Sequence, residues 1–513
     1  NRKNEILYMQ LETLSCMLAD KGIPYPEEVL ERGWEILLQN QFHDILPGTC
    51  IEEVYHQTNQ EYEEIYKQGK KALQEIAAEG AKSIHTEQNA VVVYNTQCYV
   101  RDDLVFIELP QDVRAVQAAG EDGEDMPVQK TWDGKTLFYA KGIPALGYKV
   151  FYYVPGEQAR PAYEWDGHFE NEFYSVLFNE EMEIASLIEK ETGKEFIQEG
   201  RNGNELVTYE DRPMNWDNWD IDIYYKRKPY RGKRISDVRV LEDGRVRKTL
   251  EIKKQFADSV VTQKIHLYHE IPRIDFETHA DWREHHVLLR VNFPVNVNAA
   301  RAAYEIQFGN VERETTNNNS WDTAKFEACG HKWADLSEDN NGISLLNDCK
   351  YGYGIKEGNL ALTLIKAGTY PNENADIGSH DFTYSIYPHA GRWQEAQTVE
   401  MAYNLNVPLT AVLQGVNEGE EGFCKSCLSC DAKNCFVEVI KRAEDGNGVI
   451  IRMYENRNRY TKAKIHFSKK PSHVYECDLL EENERELKVT GRTAETVFKP
   501  YEIKTLKLTF ELT

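Results

Sequence analysis

The chain has 513 residues, which is enough for about three or four domains of roughly 150 residues each. It carries 60 lysines and arginines against 85 aspartates and glutamates, a formal net charge of −25. This acidic balance argues against nucleic acid and anionic membranes as partners, and it fits a neutral ligand. The cysteines are scattered except for one group, which favours a reducing compartment over a disulfide scaffold.

The chain begins with Asn1 rather than methionine, and its first residues lead directly into a helical pattern. The sequence shows no signal peptide and no apolar run long enough to span a bilayer. We therefore expect the chain to be a fragment whose true N-terminus is missing. On that expectation, the lack of a signal says nothing about the parent protein.

Apolar residues recur at helical spacing in three segments of residues 1–87, which predicts a small antiparallel helical bundle. The second helix is predicted to begin at Pro26, since proline suits a first helical turn. The third helix is long and follows the second after a short turn. The first helix carries four leucines on one face: Leu7, Leu11, Leu14 and Leu18.

The junction between the second and third helices carries a histidine and an aspartate side by side. Pro47 disfavours helical geometry at the residue before it, so the second helix should stop there. Thr49 and Glu52 have the spacing of a capping box, which predicts the start of the third helix. His43 and Asp44 would then be held at a helix C-terminus. On these residues alone, the alternative is a histidine bonded to the terminal carbonyls and a solvated aspartate.

From Val91 the apolar period changes from helical to two, which is typical of β-strands. The pattern predicts a small β-sandwich over residues 88–160, a large antiparallel β-sandwich over 161–412 and a C-terminal β domain over 413–513. The predicted fold class is α+β, with an N-terminal three-helix bundle followed by predominantly antiparallel β-sandwich domains. Turns are predicted at three Asp-Gly pairs, Asp133-Gly134, Asp243-Gly244 and Asp445-Gly446.

The string Trp34–Tyr55, with Gln41–Thr49 at its centre, closely resembles glycoside hydrolase family 38, the retaining alpha-mannosidases. The likeness spans essentially the whole chain and matches the part of the family that follows the catalytic barrel. Other segments resemble the cytosolic and bacterial branch of that family: Glu210–Asp222, Tyr304–Gly309, Asn319–Asp322, His331–Glu338 and Leu345–Tyr353.

The resemblance implies that His43 is a ligand of the catalytic zinc and that Asp44 hydrogen-bonds substrate hydroxyls. Thr49 of the same motif is a further substrate-binding candidate. In family members, a preceding α/β barrel supplies a His-x-Asp zinc pair, the nucleophilic aspartate and the acid/base aspartate. Retaining hydrolysis needs two carboxylates about 5–5.5 Å apart, and the sequence reveals no such pair. We therefore expect no catalytic residue in this chain, and one Zn²⁺ shared with the missing catalytic domain.

The resemblance also implies what the parent protein does. It is expected to hydrolyse terminal alpha-D-mannosides of mannose-containing oligosaccharides in the cytoplasm, and relatives of this branch are often homo-oligomers. The isolated chain is expected to bind zinc poorly and to hydrolyse nothing. Two alternatives stay open: a non-catalytic carbohydrate-binding or scaffold module, and a family 38-like glycosidase of different specificity. The linkage that is cleaved is left undetermined.

Two further places in the sequence are candidates for substrate contact. The densest Trp/Asp cluster runs from Trp216 to Asp222. Tryptophans stack on sugar faces and aspartates bond hydroxyls, so Trp216 and Asp220 are candidate substrate-binding residues. The alternative is a buried turn whose aspartates bond backbone amides. Arg313 is the other candidate, because its segment approaches the active site in relatives.

Four cysteines have the spacing C-x-x-C-x-x-C-x-x-x-x-C, which can ligate zinc or an iron–sulfur cluster. No second ligand cluster supports a metal site there, and the family does not usually carry these cysteines. We favour incidental free thiols over a metal site. The residues are Cys424, Cys427, Cys430 and Cys435.

Overall fold

A computed structural model of the protein describes residues 1–120, 123–158, 163–482 and 484–510. Helices come first and antiparallel sheets follow, which confirms the predicted α+β class. Within these residues, no helix is both long and apolar enough to cross a membrane. The α-helices are α1 (Arg2–Met17), α2 (Glu27–Asn40), α3 (Glu52–Ala81), α4 (Ser320–Ala324) and α5 (Thr398–Asn406), with 3-10 turns at Ala19–Lys21 and Ile223–Arg227.

The helical bundle is built around Tyr8 of α1. The four leucines predicted to share one face of α1 are all buried. The Tyr8 ring passes so close to Gly33 of α2 that a Cβ there would lie 1.8 Å from ring carbon Cε1. Gly69 of α3 faces the same ring, and the Tyr8 hydroxyl donates to the carbonyl of Ile65 at 3.0 Å. The two glycines therefore let three helices close on one aromatic side chain.

Helix α2 ends earlier than the sequence predicts. Pro26 is the N-cap residue, but the last helical residue is Asn40, so the expected end near Leu46 is wrong. The Asn40 side chain is buried and donates to Glu61 of α3 at 2.8 Å, while its carbonyl accepts the Thr58 hydroxyl at 2.7 Å. Because these bonds tie Asn40 to a neighbouring helix, α2 ends several residues before Pro47.

Two sheets face each other across the apolar cluster that holds Val91, Val105 and Phe138. The Asp133-Gly134 turn is confirmed, with Gly134 at φ +86° and Lys130 paired with Thr136. One sheet orders its strands Thr410–Gln414, Ala90–Asn95, Gly147–Pro155, Val113–Ala118 and Met126–Pro127, with Cys424–Ser426 beside Gly147–Pro155. The other is Arg101–Ile107, Thr136–Ile143 and Gln129–Lys130.

Three sheets share the largest core, around Phe276, Phe293 and Tyr384. One sheet is Lys233–Arg234, Arg247–Phe256, Ser259–Tyr268, Ile274–Trp282, Gly378–Ala390, Asn341–Asn347, Trp333–Ser337, Arg301–Ile306 and Gly309–Glu314, with Arg239–Asp243 beside Arg247–Phe256. The second is Pro229–Arg231, Glu205–Glu210, Val287–Pro294, Asn359–Ile365, Gly352–Lys356 and Ala328–Cys329. The third is Lys194–Glu195, Ile184–Glu189, Tyr174–Phe178 and His168–Glu170.

The last part of the chain folds back onto the helical bundle. Leu11 of α1 and Ile451 of the C-terminal region belong to one buried cluster. One sheet is Cys435–Arg442, Val449–Glu455, Ile503–Thr509, His473–Cys477 and Arg485–Glu486. Another is Leu428–Cys430, Thr461–Phe467, Thr493–Phe498 and Val489–Thr490, and His85–Thr86 pairs with Asn417–Glu418.

The Asp-Gly turns at 243–244 and 445–446 connect paired strands as predicted. The predicted boundary between residues 160 and 161 lies outside the described residues. The ranges of the four predicted domains stay a prediction.

Glu12 of α1 lies where the helical bundle packs against the C-terminal region, and only 8% of the residue is exposed. Burial raises its pKa to about 7, against the opposing influence of the Lys441 ammonium and a hydrogen bond from Trp34. The unfolded chain releases this proton near pH 4.5, whereas the folded chain keeps it until about pH 7. The free energy of unfolding should therefore fall by about 3 kcal/mol as pH rises between these values.

We expect Glu12→Gln to remove this part of the pH dependence, because the amide stays neutral at every pH. In denaturant titrations, the variant should gain stability over the parent sequence at pH 8 and gain little at pH 4.5. Glu31→Gln, at an exposed position on α2, is the matched control and should track the parent sequence. Equal differences at both pH values for Glu12→Gln would show that Glu12 does not titrate near pH 7 in the folded chain.

Candidate functional site

The candidate site is the His43 turn, residues 41–49 between α2 and α3. The backbone closes on itself, since Leu46 N donates to the Phe42 carbonyl at 3.1 Å and Thr49 N donates to the Asp44 carbonyl at 3.0 Å. Gly48 adopts φ +84°, a left-handed conformation that glycine accepts without a steric penalty. The turn is therefore compact and held by its own hydrogen bonds.

Thr49 supports Asp44 rather than capping α3, so the predicted capping box is wrong. The N-cap residue of α3 is Ile51, and no side chain caps it. The Thr49 hydroxyl is buried and lies 3.2 Å from the carbonyl oxygen of Asp44 and 3.1 Å from its carboxylate Oδ1. Because Asp44 offers two acceptors inside the turn, the hydroxyl points there instead of toward Glu52.

His43 projects from the turn into the open. Its side chain is 71% exposed, and the ring contacts Phe42 with centroids 4.2 Å apart. The Nε2 atom lies 3.3 Å from the Asp44 carboxylate, which is 34% exposed. The structure thus brings His43, Asp44 and Thr49 together, with the imidazole and the carboxylate accessible to a ligand.

Tyr55 on α3 is a part of this site that the sequence did not single out. Its hydroxyl accepts a hydrogen bond from Cys50 N at 2.9 Å and lies 3.2 Å from the Asp44 carbonyl oxygen. Burial raises the pKa of Tyr55, and the carboxylates of Asp376 and Asp44 add to the rise. Tyr55 therefore remains a neutral phenol that ties the turn to α3. The sequence could have indicated Tyr55 only through its position, one helical turn into α3 and close to the motif that holds His43.

The surface around His43 is apolar. Four large side chains on and beside the turn are exposed: Leu38, Phe42, Leu46 and Ile51. Single exposed apolar residues are common, but a group of them around a polar site is typical of a surface that contacts another molecule or domain.

The Trp/Asp cluster, residues 216–222, forms a separate exposed loop, which we call the Trp216 loop. Trp216 is 61% exposed at φ +59°, and its carbonyl accepts hydrogen bonds from the backbone N–H groups of Trp219 and Asp220. The Asp220 side chain is exposed. Asp217 bonds the backbone and hydroxyl of Thr369, as the structural alternative predicted, but the tryptophans are not buried.

A second segment, residues 366–377, links this loop to the His43 turn. Asn218 N donates to the Tyr370 carbonyl at 3.1 Å, which joins the segment to the Trp216 loop. At its other end, the Asn374 amide donates to the Glu52 carboxylate at 3.1 Å, and Glu52 is the first residue of α3. The Trp216 loop and the His43 turn are thus connected through one continuous piece of chain.

Arg313 contacts an aromatic ring of its own sheet. It lies on strand Gly309–Glu314, and its guanidinium packs over the Tyr304 ring at 4.6 Å. Its NH1 atom is buried without a hydrogen-bond partner. In the part of the chain that the structure describes, Arg313 makes no hydrogen bond or ion pair with residues 41–49.

The four clustered cysteines do not converge on a metal site. Cys435 is buried, whereas Cys424 is exposed on its strand. Burial raises the pKa of Cys427 and of Cys430 to about 11, so these thiols are protonated at neutral pH. Over residues 1–120, 123–158, 163–482 and 484–510, no three His, Cys, Asp or Glu side chains are grouped to hold a metal.

Three family models match the chain in succession. Residues 1–79 match the alpha mannosidase middle domain, residues 169–374 the glycosyl hydrolases family 38 C-terminal domain, and residues 434–506 the family 38 C-terminal beta sandwich domain. The His43 turn lies in the first match and the Trp216 loop in the second.

Curated relatives match along the whole chain. Alpha-mannosidase 2C1 from Homo sapiens is 30% identical over 100% of this chain and 48% of that protein. Alpha-mannosidase G from Dictyostelium discoideum is 31% identical over 99% of this chain and 50% of that protein. The chain therefore spans about half the length of the curated relatives it matches.

Solved structures share the fold. A family 38 glycosyl hydrolase from Enterococcus faecalis aligns with a TM-score of 0.79 at 16% identity, over 99% of this chain and 70% of that one. An alpha-mannosidase from Enterococcus faecalis V583 also aligns at 0.79, with 17% identity, over 67% of its length. These structures show the fold, and the family models and curated relatives show that the chain belongs to glycoside hydrolase family 38, of which it carries the middle and C-terminal domains.

Proposed function

We propose that this chain is the C-terminal portion of a retaining, zinc-dependent alpha-mannosidase that hydrolyses terminal alpha-D-mannosides of oligosaccharides. The observation that carries the proposal is the exposed imidazole of His43 beside the Asp44 carboxylate, on a turn held by Thr49. The names of the curated relatives support the substrate class. A cytoplasmic location and a homo-oligomeric state belong to the same proposal.

The donor set fits a shared zinc site rather than a complete one. A catalytic zinc takes about three protein ligands and keeps one position open. His43 offers one exposed imidazole, and the described residues hold no group of three possible ligands. His43 would therefore complete a shell whose other members lie on the N-terminal catalytic domain. When bound, zinc supplies the orientation and polarisation of the sugar hydroxyls.

The residues of this chain then have separate tasks. His43 would hold the metal through its exposed imidazole. The Asp44 carboxylate accepts hydrogen bonds from hydroxyls of the bound sugar, and Thr49 keeps one of its oxygens in place. Trp216 and Asp220 contact the substrate farther along, on a loop connected to α3 by segment 366–377. Arg313 would contact the substrate away from the His43 turn, since it makes no hydrogen bond or ion pair with residues 41–49 in the described part of the chain.

The partner of the His43 turn in the intact protein would be the catalytic domain itself. That domain would bring the two carboxylates of retaining hydrolysis, one as nucleophile and one as acid/base. The exposed apolar side chains around His43 support a docked domain at this place, because burying them would remove apolar surface from water.

A non-catalytic carbohydrate-binding module is the second candidate. The exposed Trp216 loop favours it, since flat aromatic faces bind sugars without any catalytic group. It requires no metal and no carboxylate pair.

Hydrolysis of an aryl alpha-mannoside separates the two candidates. We expect the longer protein that carries this chain to hydrolyse it with retention at the anomeric carbon. The 513-residue chain alone should show no hydrolysis and less than one tightly bound zinc per molecule. Hydrolysis by the chain alone at rates near those of the longer protein would contradict the shared site. Inactivity of the longer protein as well would favour the binding module.

A further inference from the structure

Two exposed aromatic rings from distant parts of the chain meet at the Trp216 loop. Trp216 is 61% exposed and Tyr370 is 59% exposed, and their ring centroids lie 6.4 Å apart at an interplanar angle of 45°. We call this pair the aromatic platform. The contact places two aromatic faces next to each other at the surface, tilted by 45°, so a ligand could stack on one ring and touch the other.

The platform is held in place by hydrogen bonds beneath it. The Asp217 carboxylate accepts the backbone N–H and the hydroxyl of Thr369, and the Thr369 hydroxyl also lies 3.2 Å from His286 Nε2. Asn218 N donates to the carbonyl of Tyr370 itself at 3.1 Å. These bonds clamp the Trp216 loop to segment 366–377.

The clamp also depends on close backbone approach. A Cβ at Gly368 would lie 1.9 Å from Oδ1 of Asn218, so only glycine fits between the two segments without a shift. Trp216 itself adopts φ +59°, a left-handed conformation that a bulky side chain rarely takes unless its surroundings impose it. The exposed ring is therefore the product of a built loop.

The platform is connected to the start of α3 through segment 366–377. Four residues after Tyr370 in that segment, the Asn374 amide donates to the Glu52 carboxylate at 3.1 Å. Tyr55 lies one turn farther along α3. Tyr55 in turn contacts the Asp44 carbonyl.

The chemistry around the platform favours a neutral ligand rich in hydroxyl groups. Asp220 is exposed beside it, and the nearby cation Arg212 is already paired with Glu210 at 3.0 Å. A phosphate or another anion would meet the Asp220 carboxylate there. A sugar ring combines an apolar face for Trp216 and Tyr370 with hydroxyls for Asp220.

We propose that Trp216 and Tyr370 form a distal subsite that holds a sugar of the oligosaccharide beyond the residue contacted by Asp44. The inference rests on the proposed function and deepens it, because it assigns chain-length preference to the platform. Asp217 is the positioning residue, since it clamps the loop without reaching the ligand face.

The first test compares two substrates in the longer protein. We expect Trp216→Ala to lower the ratio of kcat/KM for an alpha-linked mannotriose to kcat/KM for an aryl alpha-mannoside by roughly tenfold. Tyr370→Ala should lower the same ratio, and Tyr370→Phe should restore it because the ring remains. Trp321→Ala, at an exposed tryptophan on α4, is the matched control and should leave the ratio unchanged. Equal losses on both substrates, or an unchanged ratio for Trp216→Ala, would overturn the subsite.

The second test does not depend on hydrolysis, so it distinguishes failure of the subsite from failure of the proposed function. Saturation-transfer NMR with mannotriose should show contact with the folded 513-residue chain. The signal should be lost in Trp216→Ala and kept in Trp321→Ala and Trp216→Tyr, with circular dichroism confirming the fold of each variant. Equal signals in Trp216→Ala and the parent sequence would contradict the proposal even if the longer protein is an active mannosidase. Loss of signal together with an inactive longer protein would support the subsite and leave the binding module as the function.

Discussion

Replacing His43 by alanine in the longer protein should remove its bound zinc and lower kcat/KM for an alpha-mannoside by at least about 100-fold. That bound follows because even residues that only orient metal ligands cost 10- to 100-fold when they are changed. The His43 ring is exposed and contacts Phe42 and the Asp44 carboxylate, while backbone hydrogen bonds hold the turn, so loss of the ring should leave the fold of the turn intact. Metal analysis by mass spectrometry and initial-rate kinetics on the same preparations measure both effects.

The control for this variant is His473→Ala, because His473 is an exposed histidine of the C-terminal sheet. It should keep zinc and activity at the level of the parent sequence. Zinc retained in full by His43→Ala would show that the imidazole is not a ligand. Activity lost with zinc retained would move His43 from metal binding to another role at the site.

Replacing Asp44 by alanine should separate sugar binding from metal binding. A hydrogen bond to a charged group contributes about 1.5–3 kcal/mol, so losing this acceptor should lower kcat/KM by roughly 10- to 150-fold. Zinc content should stay near that of the parent sequence, because the His43 ring does not need the carboxylate to remain exposed. Kinetics with an aryl alpha-mannoside and metal analysis check the two outcomes.

Two companion variants sharpen the result. Asp44→Asn keeps the shape and one acceptor, and it should lose less than Asp44→Ala. Thr49→Val removes the hydroxyl that lies 3.1 Å from the Asp44 carboxylate, and it should cause a smaller loss of the same kind. If Asp44→Ala lost zinc as completely as His43→Ala, Asp44 would be a metal ligand rather than a partner of the sugar.

Local patterns predicted those parts of the fold that neighbouring residues decide. The leucine face of α1 is buried as the helical period indicates, because amphipathic helices bury their apolar stripe. The Asp133-Gly134 turn joins paired strands, because glycine accepts the positive φ that a tight turn needs. In such places the sequence signal and its structural consequence lie within a few residues.

Contacts between distant residues explain the places where the prediction failed. The end of α2 is set by Asn40, whose side chain bonds Thr58 and Glu61 on another helix. The Thr49 hydroxyl turned to Asp44 because the compact turn offered two acceptors. Sequence rules for helix ends consider only nearby residues, so they include neither the contacts of Asn40 with another helix nor the acceptors that Asp44 offers to Thr49.

The sequence predicted the parts of the site that are adjacent in the chain and missed a part that distant segments form together. The motif string placed His43 and Asp44 next to each other, since they are adjacent in sequence. Tyr370 was missed, because its partner Trp216 lies far away in the chain and only the folded sheets bring the two loops together. Strand Thr410–Gln414 likewise pairs with Ala90–Asn95, a pairing that no local pattern shows.

The most direct test of the shared site is a crystal structure of the longer protein with diffraction data collected at the zinc absorption edge. We expect one anomalous peak at about 2.0–2.1 Å from a ring nitrogen of His43, with the remaining ligands on the preceding domain. A zinc peak bound entirely by other residues, with the His43 ring turned away from it, would contradict the shared site.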